Sequence, residues 1–210
     1  MAKPDCEANV RTCYVVGAAP FSEEFFPDET DFVIAADGGQ AALLARGITP
    51  HLVVGDFDSS DAPNDLPFVR HPVRKDDTDT ALAVKEGMRR GYEVFILYGC
   101  QGGSPDHAFA NVQTLYRIAK EGLRGYLVGD GMVGTVVLDR KMQFAPRGRV
   151  SVFSLTDRSE GVSIRGLRYS LEDACLTNDV PLGVSNEGDG TPAEVSVRRG
   201  ALYILWEQNN

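Results

Sequence analysis

The sequence predicts an α/β protein whose amino-terminal part is a parallel sheet flanked by helices and whose carboxyl-terminal part is an antiparallel β-sandwich. Three observations carry this. Up to about residue 130, short β-branched or apolar runs alternate with longer amphipathic stretches, the pattern of βα units. Several of those runs are apolar throughout, as strands covered on both faces require. After Gly129 the helical periodicity stops, and short strands follow one another between Gly, Pro, Asn and Asp turns. With 210 residues, 43% of them hydrophobic, the chain can fill one large core or two small ones.

In order, Cys13 to Gly17, Asp31 to Ala36, His51 to Gly55, Leu66 to His71, Val94 to Tyr98 and Gly125 to Val128 read as strands. Gln40 to Arg46, Thr80 to Arg90 and Asp106 to Lys120 place apolar residues three and four apart and read as helices. Gly47, Gly91 and Gly122 stand where carboxyl-terminal caps belong. The result is a three-layer, Rossmann-like domain over residues 12–132. The segments TVVLD, RVSVFSL, GVSIRG, AEVSVRRG and ALYILW then read as sandwich strands in a second domain, 133–210. The alternation in Glu194 to Arg198 before the Arg199-Gly200 turn suggests a hairpin. No internal repeat or low-complexity segment occurs.

Composition excludes several functions. The formal charge of −9 argues against a nucleic-acid partner. No apolar run approaches the roughly 20 residues of a membrane-spanning helix, and no secretory block opens the chain, so a soluble, cytoplasmic protein is expected. Cys6, Cys13, Cys100 and Cys175 form no C-x-x-C pair, which argues for reduced thiols rather than a zinc cage or disulfide framework. With His51, His71 and His107 as the three histidines, carboxylates must carry most of the chemistry.

In an open parallel sheet, ligands bind beyond the carboxyl ends of the strands. Here four successive strand ends read Asp37-Gly38-Gly39, Gly55-Asp56-Phe57-Asp58-Ser59, Lys75-Asp76-Asp77-Thr78-Asp79 and Gly99-Cys100-Gln101-Gly102-Gly103. So much acid on one edge repels itself unless a cation sits among the oxygens. An oxygen-only donor set favours Mg²⁺ or Mn²⁺. Mg²⁺ held by few carboxylates takes further ligands from phosphates, and glycine turns let backbone N–H groups approach phosphate. The combination points to phosphoryl or pyrophosphoryl transfer.

Each motif also has a purely local reading. Asp56-Phe57-Asp58-Ser59 makes an ordinary polar turn, Thr78 or Asp79 caps the following helix, and Ser104 or Asp106 caps the next, with Pro105 in its first turn. Capping and ligand binding are compatible. His107 alone reads as a first-turn surface histidine. Gly129-Asp130-Gly131-Met132-Val133-Gly134 fits G-x-G-x-x-G, but a β-branched run rather than a helix follows it. Neither a Walker loop nor a nucleophile elbow occurs.

The ordered set Asp37-Gly38-Gly39, Gly55-Asp56-Phe57-Asp58-Ser59, Lys75-Asp76-x-Thr78-Asp79 and Gly102-Gly103-x-x-Asp106-His107, with Asn111 one turn on, resembles the thiamine pyrophosphokinase (thiamine diphosphokinase) family. Gly166-Leu167-Arg168-Tyr169-x-Leu171 and Gly183-Val184-Ser185-Asn186-Glu187 look like its two later signatures, so the resemblance spans roughly residues 12 to 206. It implies transfer of the pyrophosphoryl group of ATP to the thiamine hydroxyl, giving thiamine diphosphate and AMP, in a homodimer with thiamine between subunits. By family position, Asp56, Asp58 and Asp79 are the catalytic set and hold Mg²⁺. Asp37, Gly38, Asp76, Thr78, Gly102, Gly103, Asp106 and His107 bind nucleotide. Asp106 and Asn111, with Ser185 and Asn186 of the other copy, bind thiamine. Trp206 is a candidate wall for the thiazolium, or part of the core.

One departure stands out: many relatives carry Arg in the glycine turn where this chain has Ser104, so that positive contact to phosphate is either missing or supplied by Lys75, Arg74 or another basic residue. Two alternatives follow. One is a metal-dependent phosphohydrolase or phosphotransferase with another acceptor. The other is a nucleotide- or thiamine-binding module without turnover.

Overall fold

The computed structural model describes residues 10–22, 24–25, 27–56, 65–72 and 76–208. The chain divides into two compact units, one of residues up to Thr114 with Leu123–Asp130, the other of Leu115–Gly122 with everything from Gly131.

The first unit is built as β1 (Thr12–Val16), β2 (Phe32–Ala36), α1 (Gly39–Leu44), β3 (Leu52–Gly55), β4 (Phe68–Arg70), α2 (Asp79–Arg89), β5 (Val94–Tyr98), the start of α3 (Pro105–Lys120) and β6 (Arg124–Gly129). Its strands lie in the order β6-β5-β1-β2-β3-β4, and every pairing among them is parallel. The chain runs outward from β1 to β4, then returns to lay β5 on the other side of β1. That reversal is a topological switch point, where a crevice opens because successive connections leave on opposite sides. Register sets where the crevice falls. Val16 pairs with both Ala35 and Tyr98, and Ala36 with Val54, so Gly17, Asp37, Asp56 and Gly99 leave the sheet at one edge.

Burial explains why these strands were easy to read. Every residue of β1 and β5 is buried, as is every residue of β3. Helices α1 and α2 press small residues against the sheet, and at Gly39 no side chain fits, because a Cβ there would lie 1.9 Å from the Val16 carbonyl oxygen. Thr78 caps α2: its hydroxyl accepts the Ala81 N–H at 3.2 Å, while Glu86 pairs with Arg89 and Arg90 in the last turn. The helix ends differ slightly from the periodicity, which put them at Gln40 to Arg46 and Thr80 to Arg90, and β4 is shorter than Leu66 to His71.

The second unit holds β7 (Met132–Leu138), β8 (Lys141–Phe144), β9 (Arg147–Ser154), β10 (Arg158–Arg165), β11 (Leu171–Thr177), β12 (Gly183–Asp189), β13 (Ala193–Ser196) and β14 (Ala201–Glu207). Its strands pair antiparallel as β12-β9-β14-β7 and β11-β10-β13-β8. Val137, Val150, Val152, Leu202 and Ile204 of the first set meet Val162, Ile164, Leu176 and Val195 of the second in one apolar core. This is the expected antiparallel sandwich. Trp206 packs on this core and meets the Phe144 ring edge-on at 5.3 Å.

Three strands, β8, β11 and β12, are absent from the sequence reading. Each lies at the end of a strand order and mixes exposed positions with half-buried ones or, in β12, with buried Gly183, Asn186 and Gly188, so no apolar run marks them. Among the described residues no helix is long and apolar enough to cross a membrane. Cys13, Cys100 and Cys175 are free thiols; Cys6 lies outside the described residues.

Candidate functional site

At the switch point between β1 and β5 lies a cleft of about 330 Å³, the size of a small-molecule site. Four parts of the first unit wall it. The chain leaving β1 gives Gly17, Ala18 and Ala19; β2 and its end give Ala36 and Asp37; the start of α2 gives Thr78, Asp79 and Thr80. The chain leaving β5 and the start of α3 give Gly99, Cys100, Gly103, Ser104, His107, Ala108 and Asn111. Two helices therefore open on one cleft, and their first-turn N–H groups and dipoles favour anionic ligands there.

The floor is made by close backbone approach. Gly99 has φ +60°, and a Cβ on it would stand 2.6 Å from the Gly17 carbonyl oxygen, so only glycine fits. Gly17 N–H donates to Tyr98 O at 2.8 Å and Ala19 N–H to Gly99 O at 2.9 Å, tying the first wall to the last.

Asp37 has φ 46°, a left-handed conformation that aspartate tolerates better than most side chains. Its N–H donates to Val54 O at 2.8 Å, which fixes the turn beyond β2. Its Oδ1 is buried and has no hydrogen-bond partner among the described residues. A buried carboxylate oxygen left unpaired on a cleft wall is costly, and a cation or ligand donor is what offsets it.

Asn111 is 4% exposed, and its Nδ2 donates to Cys100 O at 2.8 Å, pinning the first turns of α3 to the chain after β5. The Cys100 thiol donates to Tyr98 O at 3.2 Å. Burial pushes this thiol up to about 11, against the opposing pull of the Thr80 hydroxyl and the Gly17 amide, so it stays protonated at neutral pH. Asp106 is fully exposed; the Ser104 hydroxyl and then the His107 N–H hold its carboxyl below the usual range. Ser104 therefore serves the start of α3, where the family resemblance expects an arginine.

Of the residues singled out from sequence, Asp37, Thr78, Asp79, Gly103, His107 and Asn111 meet at this cleft. Gly38, Asp56, Asp76, Gly102 and Asp106 belong to the same turns but are not in its lining. Gly38 begins α1, Asp56 follows β3, and Gly102 holds φ +73° beside the Asp130 carboxylate. Asp58, with Phe57 and Ser59, lies outside the described residues, as do Arg74 and Lys75. Among the described residues no three acidic, imidazole or thiol groups converge as a ready metal cage. Mg²⁺ does not require one, since it is commonly held by one or two carboxylates with waters and substrate phosphates. Asp37, with its unpaired oxygen, and Asp79, which lines the same cleft, are oxygen donors of the kind such an ion takes.

Ser185 and Asn186 lie in the second unit on β12. Ser185 has φ 60°, at a register shift against β9, and its N–H donates to Ser151 Oγ at 3.2 Å. Asn186 is 6% exposed: its Oδ1 accepts the N–H groups of Tyr169 and Glu187, both at 2.9 Å, and its Nδ2 donates to Tyr169 O at 2.7 Å. The two later signatures are thus fastened to each other. A second cavity, of about 810 Å³, is bordered by Arg147, Leu167, Arg168, Glu187, Asp189 and Thr191; Ser185 and Asn186 are not in its lining.

Sequence reasoning missed Ala18, Ala19, Thr80 and Ala108, and named Cys100 within its strand-end turn without giving it a role. The first two follow the first strand and carry no polar group, so only the strand-end rule, applied to β1 as well, points to them.

Comparison with known proteins agrees with this geometry. Residues 26–127 match the family described as thiamin pyrophosphokinase, catalytic domain, and residues 135–202 match thiamin pyrophosphokinase, vitamin B1 binding domain. The chain is 23% identical to a thiamine pyrophosphokinase of Bacillus subtilis (strain 168), over 93% of this chain and 98% of that protein. The crystal structure of thiamine pyrophosphokinase from Bacillus subtilis superposes with a TM-score of 0.86 at 23% identity, covering 95% of this chain and 100% of that one. A thiamin pyrophosphokinase from Geobacillus thermodenitrificans gives 0.83 at 25% identity, over 95% and 98%. Yeast thiamin pyrophosphokinase, at 11% identity, still gives 0.74, over 96% and 87%.

Proposed function

Since the chain belongs to the thiamin pyrophosphokinase family, we propose that the switch-point cleft binds ATP and directs its β-phosphorus to the hydroxyl of thiamine. The observation that carries this is the convergence of Asp37, Asp79, Thr78, Gly103, His107 and Asn111 on one cleft between two helix starts. The new bond joins the thiamine hydroxyl oxygen to the β-phosphorus. The bond from that phosphorus to the α,β-bridging oxygen breaks, AMP leaves with that oxygen, and the hydroxyl proton is lost. Such a transfer needs alignment and charge neutralisation more than covalent help.

The chain's own groups divide that work. The N–H groups opening α2 and α3 face the phosphates, and the Gly99 approach keeps the cleft floor free of side chains. The protonated Cys100 thiol takes no part as a nucleophile. Asp79, Asp56 and Asp58 would hold Mg²⁺, and Asp37 lines the same cleft as Asp79. The ion, when bound, supplies positive charge against the polyphosphate. Gly38, Asp76, Gly102 and Asp106 complete the nucleotide-binding turns in this reading.

The second unit is assigned to thiamine recognition and to dimer formation, the first to ATP, Mg²⁺ and catalysis. Support comes from the vitamin B1 binding match over residues 135–202. A homodimer, with Ser185 and Asn186 approaching thiamine from the second copy, and a cytoplasmic location complete the proposal.

The metal assignment is tested by Asp79→Asn and Asp58→Asn. Each should lower Mg²⁺-dependent turnover by about 100-fold or more while the circular dichroism spectrum is unchanged. Turnover within a few-fold of the parent in both variants contradicts it.

A further inference from the structure

The cleft wall formed by Gly17, Ala18 and Ala19 has no polar side chain; two backbone hydrogen bonds, to Tyr98 O and Gly99 O, hold its inner edge, and its outer side is held by what anchors the chain just beyond it. That anchor is aromatic. Phe21 and Phe25 are 9% and 5% exposed, and their rings meet Tyr98 at 5.4 and 5.1 Å between centroids, with Tyr14 on Phe25 at 5.1 Å. Tyr98 OH also donates to Glu24 O at 3.4 Å.

The outer face of Phe21 is closed by one side chain from elsewhere in the chain. Arg46, just past α1, lays its guanidinium 4.0 Å from the Phe21 ring centroid. Its Nη2 donates to the Phe21 carbonyl, and its Nη1 donates to Ala42 O at 3.3 Å. One planar fork thus covers a ring and bonds two carbonyls, joining the end of α1 to the chain that leaves β1. The start of the same helix abuts Val16 through Gly39. Helix α1 and the chain leaving β1 are therefore tied at both ends of the helix.

We propose that Arg46 is a positioning residue for nucleotide binding, acting through Phe21 to hold the Gly17–Ala19 wall in its bound shape before ligand arrives. The inference rests on the reading of the cleft as the ATP site. A wall ordered in advance costs less on binding, so loss of the latch is read in affinity. The turnover step is untouched, because Asp79 stands on α2 and Asp37 at the opposite end of α1 from Arg46, where its N–H bond to Val54 O fixes it.

The test uses the intact chain with Arg46→Ala, Arg46→Lys and Phe21→Leu. Hydrogen exchange reports residues 18–22, steady-state kinetics separates KM from kcat, and calorimetry with a non-hydrolysable ATP analogue and Mg²⁺ gives Kd. In Arg46→Ala, exchange at 18–22 should accelerate, and ATP KM and analogue Kd should rise about tenfold, with kcat within about twofold and thiamine KM unchanged. Phe21→Leu should follow it, and Arg46→Lys should fall between it and the parent. Unchanged exchange, faster exchange with unchanged nucleotide affinity, or a parallel fall in kcat overturns the proposal. If Arg46→Ala does not fold, Phe21→Leu and Arg46→Lys give the same readouts. Parent protein that binds no nucleotide overturns the function proposed above and this inference with it, whereas unchanged affinity in Arg46→Ala overturns this inference alone.

Discussion

Asp37 is a residue whose side chain favours a ligand over the empty fold. It sits at φ 46°, and its Oδ1 is buried without a partner among the described residues. Asparagine tolerates the same left-handed turn, so Asp37→Asn should leave the chain folded, with thermal stability unchanged or raised by about 1 kcal/mol, while kcat/KM falls by about 100-fold or more. Parallel thermal melts and initial rates check this. Retained activity contradicts a functional role for the carboxylate. Cys100 behaves in the opposite way. Buried beside the cleft with its thiol pushed up to about 11, it should resist iodoacetamide at neutral pH, whereas exposed Cys175 reacts at the ordinary thiol rate. Peptide mapping of the alkylated native protein decides this, and rapid labelling of Cys100 contradicts the burial argument. The sequence displayed the carboxylates at the strand ends plainly and placed Cys100 in the turn beyond the fifth strand, but it did not show that the thiol is buried there, because that depends on what packs over the turn.

At the scale of elements, α2 shows how a cap and a site share one turn. Thr78 bonds the Ala81 N–H and also lines the cleft. Thr78→Ala should cost about 1 kcal/mol in urea unfolding, and Thr78→Ser should restore most of it. An alanine variant of parental stability contradicts the capping role. At the other end, Glu86 is held below the usual carboxylate range, chiefly by its hydrogen bond to Arg89. Its folded-state value lies below the unfolded one, so its contribution is present above the ordinary value of 4.5 and is lost as pH falls through the folded value. The stability gap between the parent and Glu86→Gln should therefore close on acidification, from no more than about 1 kcal/mol for so exposed a pair. The sandwich is less forgiving. Ile164 is 1% exposed between the two sets of strands, and Ile164→Ala should cost about 2–5 kcal/mol. Elements were legible in proportion to their burial: β1, β3 and β5 are wholly apolar-facing, whereas edge strands β8, β11 and β12 present polar residues and read as loops.

For the molecule as a whole, the ordered acidic motifs and the later signatures were visible in the chain because they are contiguous. What links them was not. Asn186 fastens its own signature to Tyr169, and Arg46 reaches Phe21 across 25 residues, contacts that no local pattern encodes. The wall after β1 was also hidden, since Gly17-Ala18-Ala19 matters by position in the topology alone. Together these parts move a pyrophosphoryl group from ATP to thiamine. The most direct test is to incubate the purified protein with ATP, Mg²⁺ and thiamine, beside a control without thiamine, and to identify the products by mass spectrometry. Thiamine diphosphate and AMP in equal amounts, with neither formed in the control, are the predicted result. AMP or ADP released without a thiamine product, or no turnover at all, contradicts it.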